Sequence, residues 1–228
     1  MELNEALRTT GSIRSFTDEP VSDHELFEIL DNSRFAPSGG NRQAWRVIVV
    51  RDSQLRRAIG ELYLDAWHDY VGHVLAGLVA FSPLASEDDR AKAAALRGEA
   101  IARSQPDGFA ENIADVPAML VVCADLEALA ATDRDLDRYQ IAGGASVYPF
   151  TWNILLSARE LGLGGVITTV GLRKEPAIKS LLKVPDAFAL AAIIAIGHPR
   201  NRHTKLTRKA VGQFTTIDSF TGDPLREN

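Results

Sequence analysis

The chain has 228 residues, 46% of them apolar, and a formal net charge of −5. That size supports one large core, and the negative balance argues against general nucleic-acid binding, which needs a basic field. A single cysteine, Cys123, excludes an intrachain disulfide framework, and its run AMLVVCAD marks it as a buried thiol rather than a reactive one. The opening MELNEALRTT lacks the apolar core of a secretory leader. The longest apolar run, 187–197, falls short of the roughly 20 residues a spanning helix takes. A cytoplasmic, reducing setting without membrane or nucleic-acid partners is therefore expected.

Residues 2–9 predict a short helix. VSDHELFEIL starts a second, with Ser22 and Glu25 spaced as a capping box and Leu26, Phe27, Ile29 and Leu30 as its apolar stripe. That helix should stop between Asn32 and Pro37, since proline restricts the residue before it. WRVIVVRD reads as a buried strand, as do PAMLVVCAD, GGVITTVG and FALAAIIAIG. Between the strands, 53–81 and 87–104 are helical in pattern, 82–112 are the least regular, and 137–161 predict one long helix kinked at Pro149. KEPAIKSLLKV gives a last short amphipathic helix. Four apolar strands with helices between them imply a sheet covered on both faces, in one domain.

The chemistry is thin at first sight. ELGLGG follows a helix rather than a strand, which is the wrong context for a dinucleotide fingerprint, so Gly162, Gly164 and Gly165 read as a helix stop and tight turn. His68 and His73 are five residues apart, not on one helical face, and no metal site is expected. GxSxG is absent. Against this stands HPRNRHTKLTRK, residues 198–209, which holds five Arg and Lys residues and no acid. It is either a solvated basic tail or an anion grip. Ser12 and Arg14 are either a capped turn or a second cationic point. The loop APSGGN is either a plain connection or a backbone that lies against a flat ligand. Thr168 and Thr169 end their strand, where ordinary β-propensity and ligand contact compete as explanations.

Taken in order, Ser-Ile-Arg at 12–14, APSGGNRQAW at 36–45, GLGGVITT at 162–169 and Arg-Lys at 208–209 resemble the nitroreductase family of FMN-dependent oxidoreductases. The resemblance spans about 3–210 and is weakest from about 60 to 115. It implies an α+β, three-layer fold with a central mixed sheet flanked by helices. The whole chain would be a single domain with a variable helical insertion at about 60–115. It also implies an intertwined homodimer with FMN at the subunit interface. Carried over by position, Gly11, Ser12, Ile13 and Arg14 would form the first flavin segment, with Ser12 and Arg14 on the phosphate and pyrimidine side. Pro37, Ser38, Gly39 and Asn41 would approach from one subunit. Ile167, Thr168 and Thr169 would line the ring, with Thr169 or a nearby N–H as donor to N5, and Arg208 would hold the phosphate.

No protein acid, base or nucleophile is implied, because the flavin carries the chemistry. NADH or NADPH would deliver hydride to N5, and an electron-poor small molecule such as a nitro-aromatic or quinone would then collect it, in a ping-pong cycle. Reductive dehalogenation, substrate dehydrogenation and flavin binding without turnover are the alternatives. Tyr63, Trp67, Tyr70 and Phe81 are the candidate substrate cover, or else plain packing. Two departures matter. The family's paired arginines fall on Thr10 and Gly11, which would weaken the phosphate grip unless Arg8, Arg202 or Lys205 compensates. Ala44 replaces a proline before Trp45 and leaves the apolar wall intact.

Overall fold

The computed structural model describes residues 1–227. Its central strand, β2 (Ala118–Asp125), buries seven successive residues, Ala118 to Ala124. A strand with no solvent-facing side chain needs a layer on each face. β1 (Trp45–Val50) flanks it on one side and β4 (Phe188–Gly197) on the other, and β3 (Gly164–Thr168) pairs with the far side of β4, giving the order β1-β2-β4-β3.

Leu120, Val122, Ile194 and Ile196 pack under α2 (Asp23–Ser33) and α6 (Tyr148–Glu160). Met119, Val121, Ile193 and Ala195 pack under α3 (Ser53–Leu75) and α7 (Glu175–Leu182). Each of the Leu, Val, Ile and Met side chains among them, fully buried, contributes about 1.5–3 kcal/mol. α1 (Leu3–Thr9) lies against α6, while α4 (Glu87–Ala95) and α5 (Arg97–Ala102) lie against α3. The three layers and the α+β class expected from sequence are therefore present. The mixed sheet is not: all three pairings within this chain are antiparallel. Alternating strands and helices suit either direction, and only the long-range pairing of β2 with β4 and β4 with β3 sets it.

Local signals hold at the helix ends. Ser22 Oγ accepts from Glu25 N at 3.2 Å while Ser22 N donates to Glu25 at 2.8 Å, the capping box read from the sequence. α6 stops at Gly162, whose φ of +79° suits a residue without a Cβ, and Leu163 N closes back on Ala158 O at 2.8 Å. The long helix expected over 137–161 is a correction. Residues 126–147 form turns and a short 3₁₀ segment, Ala142–Ser146, and α6 begins only at Tyr148. Pro149 sits in the first turn, where its missing N–H costs nothing, so it starts the helix instead of kinking it.

β3 is drawn tightly onto β4. A Cβ at Gly165 would lie 2.5 Å from the carbonyl oxygen of Ala195. Gly165→Ala is expected to lower the unfolding free energy by about 1–3 kcal/mol, since backbone has to move to admit it. Urea titration at 25 °C measures this directly.

Candidate functional site

Of the residues singled out from the sequence, Gly11 to Arg14 and Ile167 to Thr169 gather along the edge strand β3. At its N-terminal end Ile13 N donates to Gly165 O at 2.9 Å, and a Cβ on Gly164 would meet Ile13. The chain then runs on beside β4, with Thr17 N bonded to His198 O at 2.8 Å and Arg200 N to Ser15 O at 3.1 Å. At the other end of β3, Thr168 is buried and its Oγ1 lies 2.9 Å from the hydroxyl of Tyr63, which is 1% exposed. Burial raises the Tyr63 phenol pKa, and the bond to Thr168 and the nearby Arg14 charge act against that rise. Ile167 is partly buried on the opposite face, against α6. Thr169, just past the strand, is exposed, and its hydroxyl makes no capping bond to the 3₁₀ turn Val170–Lys174 that follows. From Gly164 to Thr168 is roughly 14 Å at strand rise.

The N-terminal end of that line is cationic. Arg202 donates to the carbonyls of Gly162 and of Leu163, the latter at 3.2 Å, and so covers the C-terminus of α6. Arg159, in the last turn of α6, donates to Thr9 Oγ1 at 3.4 Å. Partial burial and then the Arg159 charge lower the Arg202 pKa, so the two guanidinium groups are neighbours. The atoms nearest a Cβ on Gly11 would belong to His203 and Leu206. Thr10, 6% exposed, leaves Oγ1 without a partner. Among the described residues Arg14, Arg159, Arg202 and Arg208 have no ion-pair partner. Arg208 is exposed and donates to its neighbour's carbonyl, Thr207 O, at 2.8 Å. The sequence named Arg208 as a phosphate candidate and gave no sign of Arg159, which reads as an ordinary helix-terminal cation.

Surplus positive charge and an orphaned hydroxyl at one end, with an exposed hydroxyl and backbone turn at the other, fit an elongated ligand bearing a phosphate. FMN has that shape and charge.

The Pro37–Asn41 loop lies elsewhere. It precedes β1, and the register sets Thr168 level with Ile48 of β1 on the opposite edge, with Trp45 three residues further along that strand. Three strand spacings, roughly 14 Å, separate the two edges. The loop is well built: Gly40 and Asn41 take left-handed backbone, Ser38 Oγ accepts from Gln43 N at 2.9 Å, and Gly39 N donates to Ser146 Oγ at 3.1 Å.

Ser146 belongs to the segment 126–147, which Asp133 pins. The Asp133 carboxylate accepts from Ile141 N at 2.8 Å and Ala142 N at 3.1 Å and pairs with Arg138 at 2.8 Å. The backbone bond from Ile141, above all, lowers its pKa to about 2. A depressed carboxylate stabilises the fold above its unfolded pKa of about 3.9 and ceases to do so as pH falls through the folded value. Order in this segment is thus expected to fade between about pH 4 and pH 2. Amide resonances of Ile141 and Ala142 should report it, and Asp133→Asn should flatten the profile.

The helical aromatics divide. Tyr63 is core, edge-on to Phe109 at 6.3 Å, whereas Trp67 stacks on Tyr70 at 4.8 Å in a half-buried position and Tyr70 approaches Phe81 at 6.4 Å. His68 bonds to Ser104 and His73 to Asp69 O, each at 2.8 Å. No group of three or more metal-ligating side chains occurs among the described residues. No described helix is long and apolar enough to cross a membrane.

Comparison with known proteins follows this geometry. The model of the nitroreductase family matches residues 7–198. A Thermus thermophilus NADH dehydrogenase is 29% identical over 188 residues, covering 82% of each chain. An FMN reductase [NAD(P)H] of Bacillus subtilis is 25% identical over 218 residues, covering 91% of this chain and 70% of that one. The fold is similar to that of oxidised iodotyrosine deiodinase bound to FMN and 3-iodo-L-tyrosine, with a TM-score of 0.66 at 19% identity, over 96% of this chain and 100% of that one.

Proposed function

The chain belongs to the nitroreductase family of FMN-dependent NAD(P)H oxidoreductases, and we propose that it holds FMN along the β3 edge and passes reducing equivalents from NAD(P)H to an electron-poor acceptor. Nitro-aromatics and quinones are the acceptor class, in a ping-pong cycle. The observation that carries the reading is the line from the cationic cluster at Gly162 to the exposed Thr169, with Thr168 fixed by Tyr63. FMN supplies reversible acceptance of hydride when bound. The chain's own groups bind and orient. Ser12, Arg202, Arg159 and Arg208 offer donors and charge to the phosphate. Arg14 offers positive charge beside the pyrimidine. The Thr169 hydroxyl offers a hydrogen bond at the ring edge.

Pro37, Ser38, Gly39 and Asn41 sit too far across the sheet to join that edge within one chain. A partner subunit would bring them, which makes the protein a homodimer with sites between the two copies. Large apolar side chains left bare, such as Phe27, Phe35, Phe214 and Phe220, support this. The segment 60–115 would be the variable insertion that covers the acceptor.

The first test is the visible spectrum of the purified protein, with mass identification of what denaturation releases and light scattering for size. A yellow dimer releasing about one FMN per chain, bleached by NADH or NADPH, is the expected result. A flavin that is bound but not bleached by either donor would leave a binding protein without turnover. Acceptor screening then separates nitro and quinone reduction from dehalogenation.

A further inference from the structure

A second set of arginines stands apart from the phosphate end. A cavity of about 370 Å³ lies between the second half of α3, the loop 76–86, α4 from Arg90 onward and the turn Val170–Lys174. Arg90 and Arg173 line it, with His73, Phe81 and the short apolar side chains of Ala85 and Ala93.

The lining itself carries two arginines and one carboxylate, Asp69. Asp65 pairs with both Arg97 and Lys174, and Asp69, itself a lining residue, also pairs with Arg97. Both aspartates are therefore already engaged. Arg90 donates to Ala85 O at 2.6 Å and has no ion-pair partner among the described residues, and neither has Arg173. The Arg173 guanidinium lies 4.9 Å over the Phe81 ring. Phe81 reaches that place with φ of +55°, left-handed backbone that a bulky residue seldom adopts. Such strain persists where the surroundings hold it, often at a ligand clamp. On its other side Phe81 meets His73 at 4.8 Å. His73 is 9% exposed, and its Nδ1–H is committed to Asp69 O, so Nε2 remains for the cavity. α3 and α4 can close on this slot because Gly72 has no Cβ, which would lie 2.6 Å from Ala93 O.

We propose that this cavity binds the carboxylate of a flat aromatic acid, so that the acceptors this enzyme favours are aromatic carboxylates. Arg173 supplies the fork that matches a carboxylate, and Arg90 supplies a second charge. The aromatic and alanine walls suit a ring. Arg173 also lies four residues beyond Thr169 in one 3₁₀ turn, about 8 Å at that rise. One substituted ring spans the gap between a gripped carboxylate and a reducible group beside Thr169.

The substrate-class statement rests on the function proposed above, and the test separates the two. Holoenzyme is given 4-nitrobenzoate or the neutral 4-nitrobenzamide, each undergoing the same two-electron step: nitro compound, NAD(P)H and one proton give nitroso compound, NAD(P)⁺ and water. Benzoate binding is measured in parallel by calorimetry without turnover. Wild type is expected to prefer nitrobenzoate in kcat/KM by roughly tenfold or more, the scale of a charge-assisted bond, through a lower KM. Arg173→Gln, and separately Arg90→Gln in case the first variant folds poorly, should bring that ratio towards one and weaken benzoate binding. Equal use of both compounds by wild type, or benzoate binding that neither substitution alters, overturns the proposal. If neither compound is reduced while benzoate binds in an Arg173-dependent way, the cavity assignment stands and the acceptor reading fails.

Discussion

Tyr63→Ala is expected to lower the unfolding free energy by about 3–5 kcal/mol, the range for emptying a buried aromatic position. Tyr63 is 1% exposed and joins three things: the core beneath β2 and β4, the edge contact with Phe109, and the hydroxyl bond to Thr168 at 2.9 Å. The polar part can be isolated. Tyr63→Phe keeps the ring and leaves the Thr168 hydroxyl without its partner, at a cost of about 1–3 kcal/mol. Thr168→Val strands the Tyr63 hydroxyl at a similar cost. Pairing the two changes should cost clearly less than their sum, because no unpaired polar group remains. Urea unfolding of the four proteins completes the cycle. An additive double variant would mean that the bond contributes nothing of its own. The single variants should also disturb the flavin spectrum more than a remote core change of equal cost, if Thr168 positions the ring.

Arg202→Gln is expected to weaken FMN binding by about 10- to 150-fold while leaving riboflavin nearly unaffected, the equivalent of one charge-assisted bond of about 1.5–3 kcal/mol. The glutamine amide stops two bonds short of the guanidinium nitrogens that reach the carbonyls of Gly162 and Leu163, so any effect of losing the helix cover falls on FMN and riboflavin alike. Riboflavin lacks the phosphate, and the comparison therefore reads charge at that end alone. Flavin fluorescence quenching measures both constants. Thr10→Arg in the same background should restore part of the affinity, since it returns a cation the family pattern has and this chain lacks. If Arg14→Ala, Arg202→Gln and Arg208→Ala all left the FMN constant unchanged, the phosphate would not be held at this end of β3.

Much of the fold was legible where the cause is local. Ser22 and Glu25 mark a helix start because both partners lie within one turn. Gly162 marks a helix stop because only its own backbone is at issue. The four strands were legible as β-branched apolar runs. Their directions were not, since pairing joins residues as distant as Trp45 and Ala124. The segment 137–147 misled because Arg138, Gln140 and Ala142 suit a helix locally, whereas Asp133 binds the N–H groups of Ile141 and Ala142 that a helix would need.

The candidate site divides the same way. Ser12, Arg14 and Thr169 were found as motif positions. Arg159 and Arg202 come together only because the end of α6 meets the segment after β4. Arg173 and Phe81 come together only because the turn after β3 packs on the loop after α3. Neither meeting leaves a spacing to read.

The line of candidate residues runs along β3, an edge strand, while β2 and β4 hold the centre. Backbone amides of an edge open by small local excursions, whereas those of a central pair exchange only when much of the domain unfolds. Hydrogen exchange should therefore show a steep gradient across the sheet: slow at Val121 and Ile194, faster at Val166 and Ile167. A ligand seated along β3 would tie down the part of the sheet with most freedom to lose. Its binding should register as protection spreading from β3 inward, and the empty protein should fray first on that side.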